Sequence, residues 1–230
     1  MGTILSVILP CYDPASGWTD RVLANVALIQ KDIQDVEVIL VNDGSSQDLS
    51  SEIKLLSDAI PNFKSIQYSH NKGKGYALRQ GLTLAQADHI IYTDIDFPYT
   101  HDSFLKVRKA LDQYDVVIGI KDAAYHKSLP LFRRWVSSGL RTMTSKLMEL
   151  QITDTQCGLK GLNAQVKDIW LSGKVDGYLF EIEAIRKAEK SGCTLLPLPV
   201  TLREGVVFSE LKAGVLFKEL KHFIQIALKK

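Results

Sequence analysis

Two aspartates separated by one residue are the sharpest chemical signal in this sequence. Asp94 and Asp96 directly follow a β-branched run at residues 90–93 that predicts a strand. On an extended chain the side chains of residues i and i+2 point to the same side. Two such carboxylates can hold one divalent ion, Mg²⁺ or Mn²⁺, which stabilises a diphosphate as a leaving group. We therefore predict that Asp94 and Asp96 are metal ligands and that Asp96 also takes part in catalysis.

A segment rich in glycine and lysine, NKGKGYALRQG at residues 71–81, is the second signal. Gly73 and Gly75 open a predicted helix, and the first N–H groups of a helix lack partners within it and favour an anion. Lys72 and Lys74 add positive charge nearby. The segment thus predicts contact between a diphosphate and Lys72, Gly73 and Lys74. The same pattern away from a strand end would indicate only a solvated start of a helix.

A polar turn, Asn-Asp-Gly-Ser, follows the predicted strand at residues 36–41. The carboxylate of Asp43 could accept a hydrogen bond from a base N–H. Gly44 would make the turn tight enough for a planar base to approach the backbone. Both residues are predicted nucleotide contacts, and the alternative interpretation is an ordinary capped turn before a helix.

The order of apolar segments predicts an α/β fold, in which a mostly parallel central sheet is flanked by helices on both faces. The predicted strands are residues 4–9, 36–41, 65–68, 90–93, 116–120 and Leu195–Val200. The predicted helices are residues 21–33, 49–59, 75–87, 103–111, 131–150, 179–190 and 213–228. Ligands of such sheets bind beyond the carboxyl ends of the strands, so the polar segments are expected to meet at one edge.

Composition narrows the classes of function. The 230 residues include 28 Lys and Arg against 26 Asp and Glu, so the net charge is +2 and no nucleic-acid partner is expected. Three cysteines, Cys11, Cys157 and Cys193, form no CxxC pair and indicate reduced thiols in a cytoplasmic protein, with Cys157 in the core. The sequence contains no run of about 18 consecutive apolar residues, so no membrane span is predicted. Contact with a membrane surface is left open.

Five segments together resemble one known family. They are SVILPCYD (6–13), VEVILVNDGSSQD (36–48), NKGKGYALRQG (71–81), YTDID (92–96) and DTQCGLKGL (154–162), in the family's order and spacing. The sequence is similar to the inverting glycosyltransferases of family 2, in particular to the dolichyl-phosphate mannose and dolichyl-phosphate glucose synthases. The resemblance implies a single GT-A domain over residues 1–230, with a nucleotide-sugar-binding half at 1–120 and an acceptor-side half at 121–230.

The same resemblance implies a reaction and its partners. A hexose would pass from a nucleotide-sugar of the UDP-glucose or GDP-mannose type to a polyprenyl phosphate, at the cytoplasmic face of a membrane, with a divalent metal as cofactor. A phosphate monoester, with a second pKa of about 6, carries a nucleophilic oxygen near neutrality. This acceptor would therefore need no general base.

Further site residues are carried over from the resemblance. Additional contacts to the nucleotide-sugar are assigned to Pro10, Tyr12, Asp13, Asp94 and Ile95. Catalytic roles are assigned to Asp154 and Gln156, which would line the site around the transferred sugar, and to the basic pair Arg133 and Arg134, which would hold the acceptor phosphate.

Departures from the family pattern leave alternatives open. Asp13-Pro14 stands where the family has Asn-Glu, and Pro98 stands where many relatives have glutamine, which makes the glucose-type branch slightly closer. One alternative is transfer to a sugar hydroxyl of a glycan acceptor, with Asp154 as general base. Another is a non-catalytic relative that binds a nucleotide-sugar, against which the retained aspartates argue. The C-terminal helix at 213–228 could dock on the sheet or lie on a membrane.

Overall fold

A seven-stranded sheet forms the centre of the computed structural model, which describes residues 5–121, 157–177 and 179–205. The strands are β1 (Leu5–Cys11), β2 (Val36–Asn42), β3 (Phe63–Gln67), β4 (His89–Tyr92), β5 (Val116–Lys121), β6 (Lys160–Asn163) and β7 (Leu195–Val200). The helices in these ranges are α1 (Trp18–Asp32), α2 (Ser50–Ala59), α3 (Lys74–Leu84), α4 (His101–Ala110), α5 (Lys167–Leu171) and α6 (Phe180–Lys190).

The strand order is β3-β2-β1-β4-β6-β5-β7. All neighbours are parallel except β6, which runs antiparallel between β4 and β5. Strand β6 was not predicted from the sequence. Its four residues, KGLN, carry no alternating pattern, and pairing with two neighbours holds them in the sheet. Through β6 and β7, both predicted halves of the chain supply strands to one sheet.

Helices cover both faces of the sheet, which confirms the predicted fold class. On one face Ile8 of β1 and Ile39 of β2 pack in a cluster with apolar residues of α3, α5 and α6. On the other face Val7 and Leu9 of β1 pack with residues of α1, α2 and α4. Successive residues of a strand point to opposite faces, and β2 is accordingly buried at all seven positions.

Most predicted elements in the described ranges are confirmed with shifted ends. The predicted helix at 75–87 is α3 and ends at Leu84, and the predicted helix at 179–190 is α6. The short helix α5 was not predicted. The helices predicted at 131–150 and 213–228 lie outside the described residues. Among the helices that the structure describes, none combines the length and hydropathy that a membrane span requires.

The carboxyl ends of β1, β2 and β4 meet at one edge. Cys11 at the end of β1 lies opposite Asn42 at the end of β2, and Ile8 lies opposite Tyr92 at the end of β4. The polar segments after these strands therefore come together, as the sequence predicts.

A buried carboxylate ties the opposite ends of these strands together. Glu37 of β2 is fully buried, and its Oε1 accepts from the Ser6 hydroxyl at 2.5 Å and from the Gln86 backbone N–H at 2.6 Å. Its Oε2 lies 2.6 Å from Nζ of Lys64. Burial by itself raises the pKa of Glu37, but the donors from Lys64, Ser6 and Gln86 outweigh it and the net pKa is lowered. The network fixes the segment before β4 against β1 and β2.

This network predicts a pH-dependent stability. Since the folded-state pKa of Glu37 lies below its ordinary value of 4.5, the carboxylate stabilises the fold above that pH, and the stabilisation is lost as pH falls through the folded pKa. Glu37→Gln should lower the free energy of unfolding by about 2–4 kcal/mol at pH 7. In urea denaturation series the difference from wild type should shrink below about pH 4.

The matched control is Asp58→Asn, which removes an exposed carboxylate paired with Lys54. It should change stability by less than about 0.5 kcal/mol at either pH. A difference in the free energy of unfolding between wild type and Glu37→Gln that stays constant as the pH falls from 7 to below about 4 would contradict the stabilising role of the ionised Glu37.

Candidate active site

Asp94 and Asp96 lie in a tight turn beyond the end of β4. The carbonyl of Asp94 accepts from the Phe97 N–H at 2.9 Å, and Phe97 has a φ of 47° in the left-handed region. The predicted extended conformation is therefore wrong, because β4 ends at Tyr92 and the chain turns before Asp96. Ile95 packs partly against the apolar core, and its contact with the nucleotide-sugar stays a prediction.

An ion pair joins Asp94 to the start of α3. Nζ of Lys74 lies 2.6 Å from Oδ1 of Asp94, and the two side chains are 18% and 39% exposed. Burial acts to raise the pKa of Asp94, but the charges of Lys74, Lys160 and Lys121 outweigh it and lower the pKa. Asp94 is thus held ionised at neutral pH.

Gly158, just before β6, packs directly against this carboxylate. A Cβ at position 158 would lie 2.0 Å from Oδ2 of Asp94, so no larger residue fits there without displacing it. The Gly158 N–H donates to the hydroxyl of Tyr99 at 2.9 Å. The segment that begins at Cys157 is in this way held against the turn that carries both aspartates.

Asp96 has the opposite electrostatic environment from Asp94. Burial and the neighbouring charge of Asp94 both raise its pKa, while Arg203 donates to its backbone carbonyl at 2.5 Å. Two carboxylates therefore repel each other in a partly buried turn, and a cation between them would relieve the repulsion. Their oxygens are the ligands that Mg²⁺ and Mn²⁺ prefer, so the predicted metal residues fit the ion. In the described ranges no third His, Cys, Asp or Glu joins them.

The carboxylate of Asp43 is committed to the segment that precedes α3. Its Oδ1 accepts from the Tyr68 hydroxyl at 2.6 Å and from the Lys72 N–H at 2.8 Å. Its Oδ2 accepts from Nδ2 of Asn71 and from the Gly73 N–H, both at 2.9 Å. Four donors fill the acceptor sites of a carboxylate. The predicted acceptance of a base N–H by Asp43 would need one of them to leave, and the geometry supports a positioning role instead.

Protein groups contact the glycines around the start of α3. The Gly75 N–H donates to the carbonyl of Asp176 at 2.8 Å, and the Gly73 N–H donates to Asp43. A Cβ on Gly44 would lie 2.3 Å from the backbone of His70, so a protein segment packs closely against this glycine. The contacts of Gly44 with a base and of Lys72, Gly73 and Lys74 with a diphosphate stay predictions.

The end of β1 keeps one exposed aromatic ring. Tyr12 is 52% exposed, whereas the neighbouring Asp13, at a φ of 42°, accepts from the N–H and the hydroxyl of Ser46 at 2.7 and 2.9 Å. Asp13 thus joins β1 to the turn after β2, and Tyr12 offers a face for a planar base. Pro10 is paired with Val41 inside the sheet and shapes the end of β1. The contacts of Pro10, Tyr12 and Asp13 with a nucleotide stay predictions.

A buried ion pair that was not predicted from the sequence lies in the core on the α6 side of β6. Lys160 of β6 is fully buried, and its Nζ lies 2.8 Å from Oε1 of Glu181 in α6. The same ammonium donates to the carbonyl of Cys157 and lies 5.8 Å from the centre of the Tyr92 ring. A lysine inside the segment DTQCGLKGL was the available signal, but nothing in the sequence indicates its partner.

Several predicted site residues cannot be placed. Arg133, Arg134, Asp154 and Gln156 lie outside the described residues, and their roles stay predictions. Cys157 is fully buried, which confirms its assignment to the core, and burial raises the pKa of its thiol.

The Asp43 network predicts a stability cost on substitution. Asp43→Asn presents an amide N–H₂ to buried donors and should lower the free energy of unfolding by about 2–4 kcal/mol. Tyr68→Phe removes one donor and should cost about 1–3 kcal/mol. Asp48→Asn, at an exposed acceptor for Ser50, is the control and should change stability by under about 0.5 kcal/mol in urea denaturation. A neutral Asp43→Asn would contradict the positioning role.

The Lys160–Glu181 pair predicts strong coupling. Lys160→Met leaves a buried carboxylate without its partner and should cost about 3–5 kcal/mol, whereas the double variant Lys160→Met/Glu181→Leu should cost less than the sum of the single variants. The exposed Lys54→Met serves as the control for loss of a lysine. Additive single costs in denaturation experiments would show that the two side chains do not interact.

Comparisons with known proteins agree with this architecture. The family model described as "Glycosyl transferase family 2" matches residues 6–170. The dolichyl-phosphate beta-glucosyltransferase ALG5A of Trichomonas vaginalis is 25% identical over 199 residues, which cover 84% of this chain and 61% of the relative. The dolichyl-phosphate beta-glucosyltransferase of Saccharomyces cerevisiae is 24% identical, with 87% of this chain and 67% of the relative covered. The chain thus spans about two thirds of the length of these relatives.

A solved structure has the same fold. Glucosyl-3-phosphoglycerate synthase from Mycobacterium tuberculosis, in complex with Mn²⁺ and UDP-glucose, superposes with a TM-score of 0.68 at 17% identity, over 98% of this chain and 78% of the other. This likeness supports the predicted GT-A fold. Because the family model matches well over half of its residues, the chain belongs to glycosyl transferase family 2.

Proposed function

We propose that this chain transfers glucose from a nucleoside diphosphate sugar to a polyprenyl phosphate of the dolichyl type, with a divalent cation as cofactor. The observation that carries the proposal is the pair Asp94 and Asp96 at the carboxyl edge of the sheet, with Lys74 beside it. The names of the two relatives support the acceptor and the sugar. The Mn²⁺ and UDP-glucose in the related solved structure support the cofactor and the class of donor.

The side chains at this edge suit departure of a nucleoside diphosphate. A divalent cation, when bound by Asp94 and Asp96, would neutralise charge on the diphosphate as the bond to the sugar breaks. Lys72 and Lys74 bring further positive charge to the same oxygens. Asp43 accepts from the backbone N–H groups of Lys72 and Gly73. It therefore fixes the backbone from which the lysine side chains extend. The exposed ring of Tyr12 offers a stacking surface for the base.

The acceptor completes the reaction without a base from the protein. An oxygen of the phosphate monoester forms a bond to the anomeric carbon, the bond from that carbon to the diphosphate oxygen breaks, and the electron pair leaves with the nucleoside diphosphate. The acceptor oxygen is already deprotonated near neutral pH, since the second pKa of a phosphate monoester is about 6. We assign Arg133 and Arg134 to holding this phosphate and Asp154 and Gln156 to the transferred sugar. A lipid-linked acceptor would bring the chain to a membrane surface.

The test is an extraction assay for a glycolipid product. Purified protein is incubated with radiolabelled UDP-glucose or GDP-mannose, dolichyl phosphate in detergent and Mn²⁺. We expect label in the lipid phase with UDP-glucose, loss of activity with EDTA, and a fall in kcat/KM of about 100-fold or more for Asp96→Asn. Asp102→Asn, at an exposed carboxylate that pairs with Lys106 on α4, should retain activity.

Two outcomes would contradict the proposal. Label that appears only with a free sugar or glycan acceptor would favour transfer to a hydroxyl group. Full activity of Asp96→Asn in the presence of EDTA would remove the metal from the chemistry.

A further inference from the structure

We infer that Lys74 is a built-in counter-ion of the cation site, which neutralises Asp94 before the metal binds and passes to the diphosphate afterwards. This inference rests on the proposed function, since it takes the donor to be a nucleoside diphosphate sugar. Its consequence is that Lys74 weakens the binding of metal alone and strengthens the binding of metal with nucleotide. Lys74 thereby couples the two ligands.

The ammonium of Lys74 and a metal ion would compete for the same carboxylate oxygen of Asp94. Nζ of Lys74 lies 2.6 Å from Oδ1 of Asp94, so the ammonium uses a carboxylate oxygen that a metal would also use. With 18% and 39% of the two side chains exposed, water and ions reach the pair. An ammonium and a divalent cation repel each other at such distances, so each weakens the hold of the other on Asp94.

The backbone of Lys74 is fixed, so the exchange needs only a change of side-chain rotamer. On one side of it, the Gly73 N–H donates to Asp43 at 2.9 Å, and on the other the Gly75 N–H donates to Asp176 at 2.8 Å. A lysine side chain has four rotatable carbon–carbon bonds and a compact charge at its end, and it can turn from the carboxylate to a neighbouring phosphate. The helix does not have to move.

Two other lysines near the site have partners different from that of Lys74. Lys160 contributes charge to Asp94, but its ammonium is fully buried and paired with Glu181 at 2.8 Å. Nζ of Lys72 lies 4.5 Å from the centre of the Tyr76 ring and 5.3 Å from that of Tyr68. Lys72 therefore differs from Lys74 in its contacts while sharing its charge and its segment, which makes it the matched control.

The test measures metal binding directly. Free Mn²⁺ is followed by electron paramagnetic resonance at low ionic strength, with and without UDP, for wild type, Lys74→Met, Lys74→Arg and Lys72→Met. Without UDP, Lys74→Met should bind Mn²⁺ about 3- to 10-fold more tightly than wild type. Lys74→Arg and Lys72→Met should stay within about 2-fold of wild type. Thermal melts of each variant establish that it is folded.

The second arm measures the coupling between the ligands. In wild type, UDP should tighten Mn²⁺ binding, and in Lys74→Met the ratio of the two affinities should fall by about 10-fold. Equal Mn²⁺ affinities of wild type and Lys74→Met without UDP, or weaker binding by the variant, would overturn the role of Lys74 as counter-ion. An unchanged ratio would overturn the transfer to the diphosphate.

The counter-ion role of Lys74 and the proposed donor class can be overturned separately. The titration without UDP needs no donor, so tighter Mn²⁺ binding by Lys74→Met would support the counter-ion even if the glycolipid assay found no product. Absence of UDP binding to wild type with Mn²⁺ present would instead overturn the proposed donor class and, with it, the transfer of Lys74 to the diphosphate.

Discussion

Asp43, Asp94 and Asp96 follow β2 and β4 at one edge of the sheet, and each carboxylate there needs hydrogen bonds or positive charge to compensate its own charge. Asp43 is compensated by four hydrogen-bond donors and Asp94 by the ammonium of Lys74. Among the described residues Asp96 has no comparable compensation, because burial and the charge of Asp94 both raise its pKa. This unequal distribution leaves Asp94 ionised and Asp96 in need of positive charge, which suits the cation site that we propose.

The packing beneath the edge explains how the carboxylates keep their positions. Gly158 lies against Asp94 without a side chain, and the next residues enter the sheet as β6 between β4 and β5. The ammonium of Lys160 joins β6 to Glu181 of α6 inside the core. A residue that follows β4 is thereby fixed by residues about 60 positions further along the chain. The segment that follows Gln156 therefore packs against the turn that carries Asp94 and Asp96.

The start of α3 shows how one segment can serve two purposes. Its backbone N–H groups are used within the protein, by Asp43 and by the carbonyl of Asp176, and they fix the segment in place. Its lysine side chains contact Asp94 and the ring of Tyr76, at the edge where we propose that a diphosphate binds. A phosphate there would meet ammonium groups on a rigid backbone, an arrangement that lowers the cost of ordering the site when a donor binds.

The sequence by itself determined the elements and the residue types at the edge. Periodic apolar residues predict strands and helices because the spacing of apolar residues in each element is set by neighbours along the chain. The polar residues after β1, β2 and β4 could be predicted to meet because the carboxyl ends of parallel strands lie at the same edge. Only the tertiary structure decided which partner each polar group takes. The turn at Asp94, the donors to Asp43, the strand β6 and the pair of Lys160 with Glu181 all depend on contacts that periodicity does not encode. Such contacts form when distant segments pack, and their energies come from burial and charge at the packed positions.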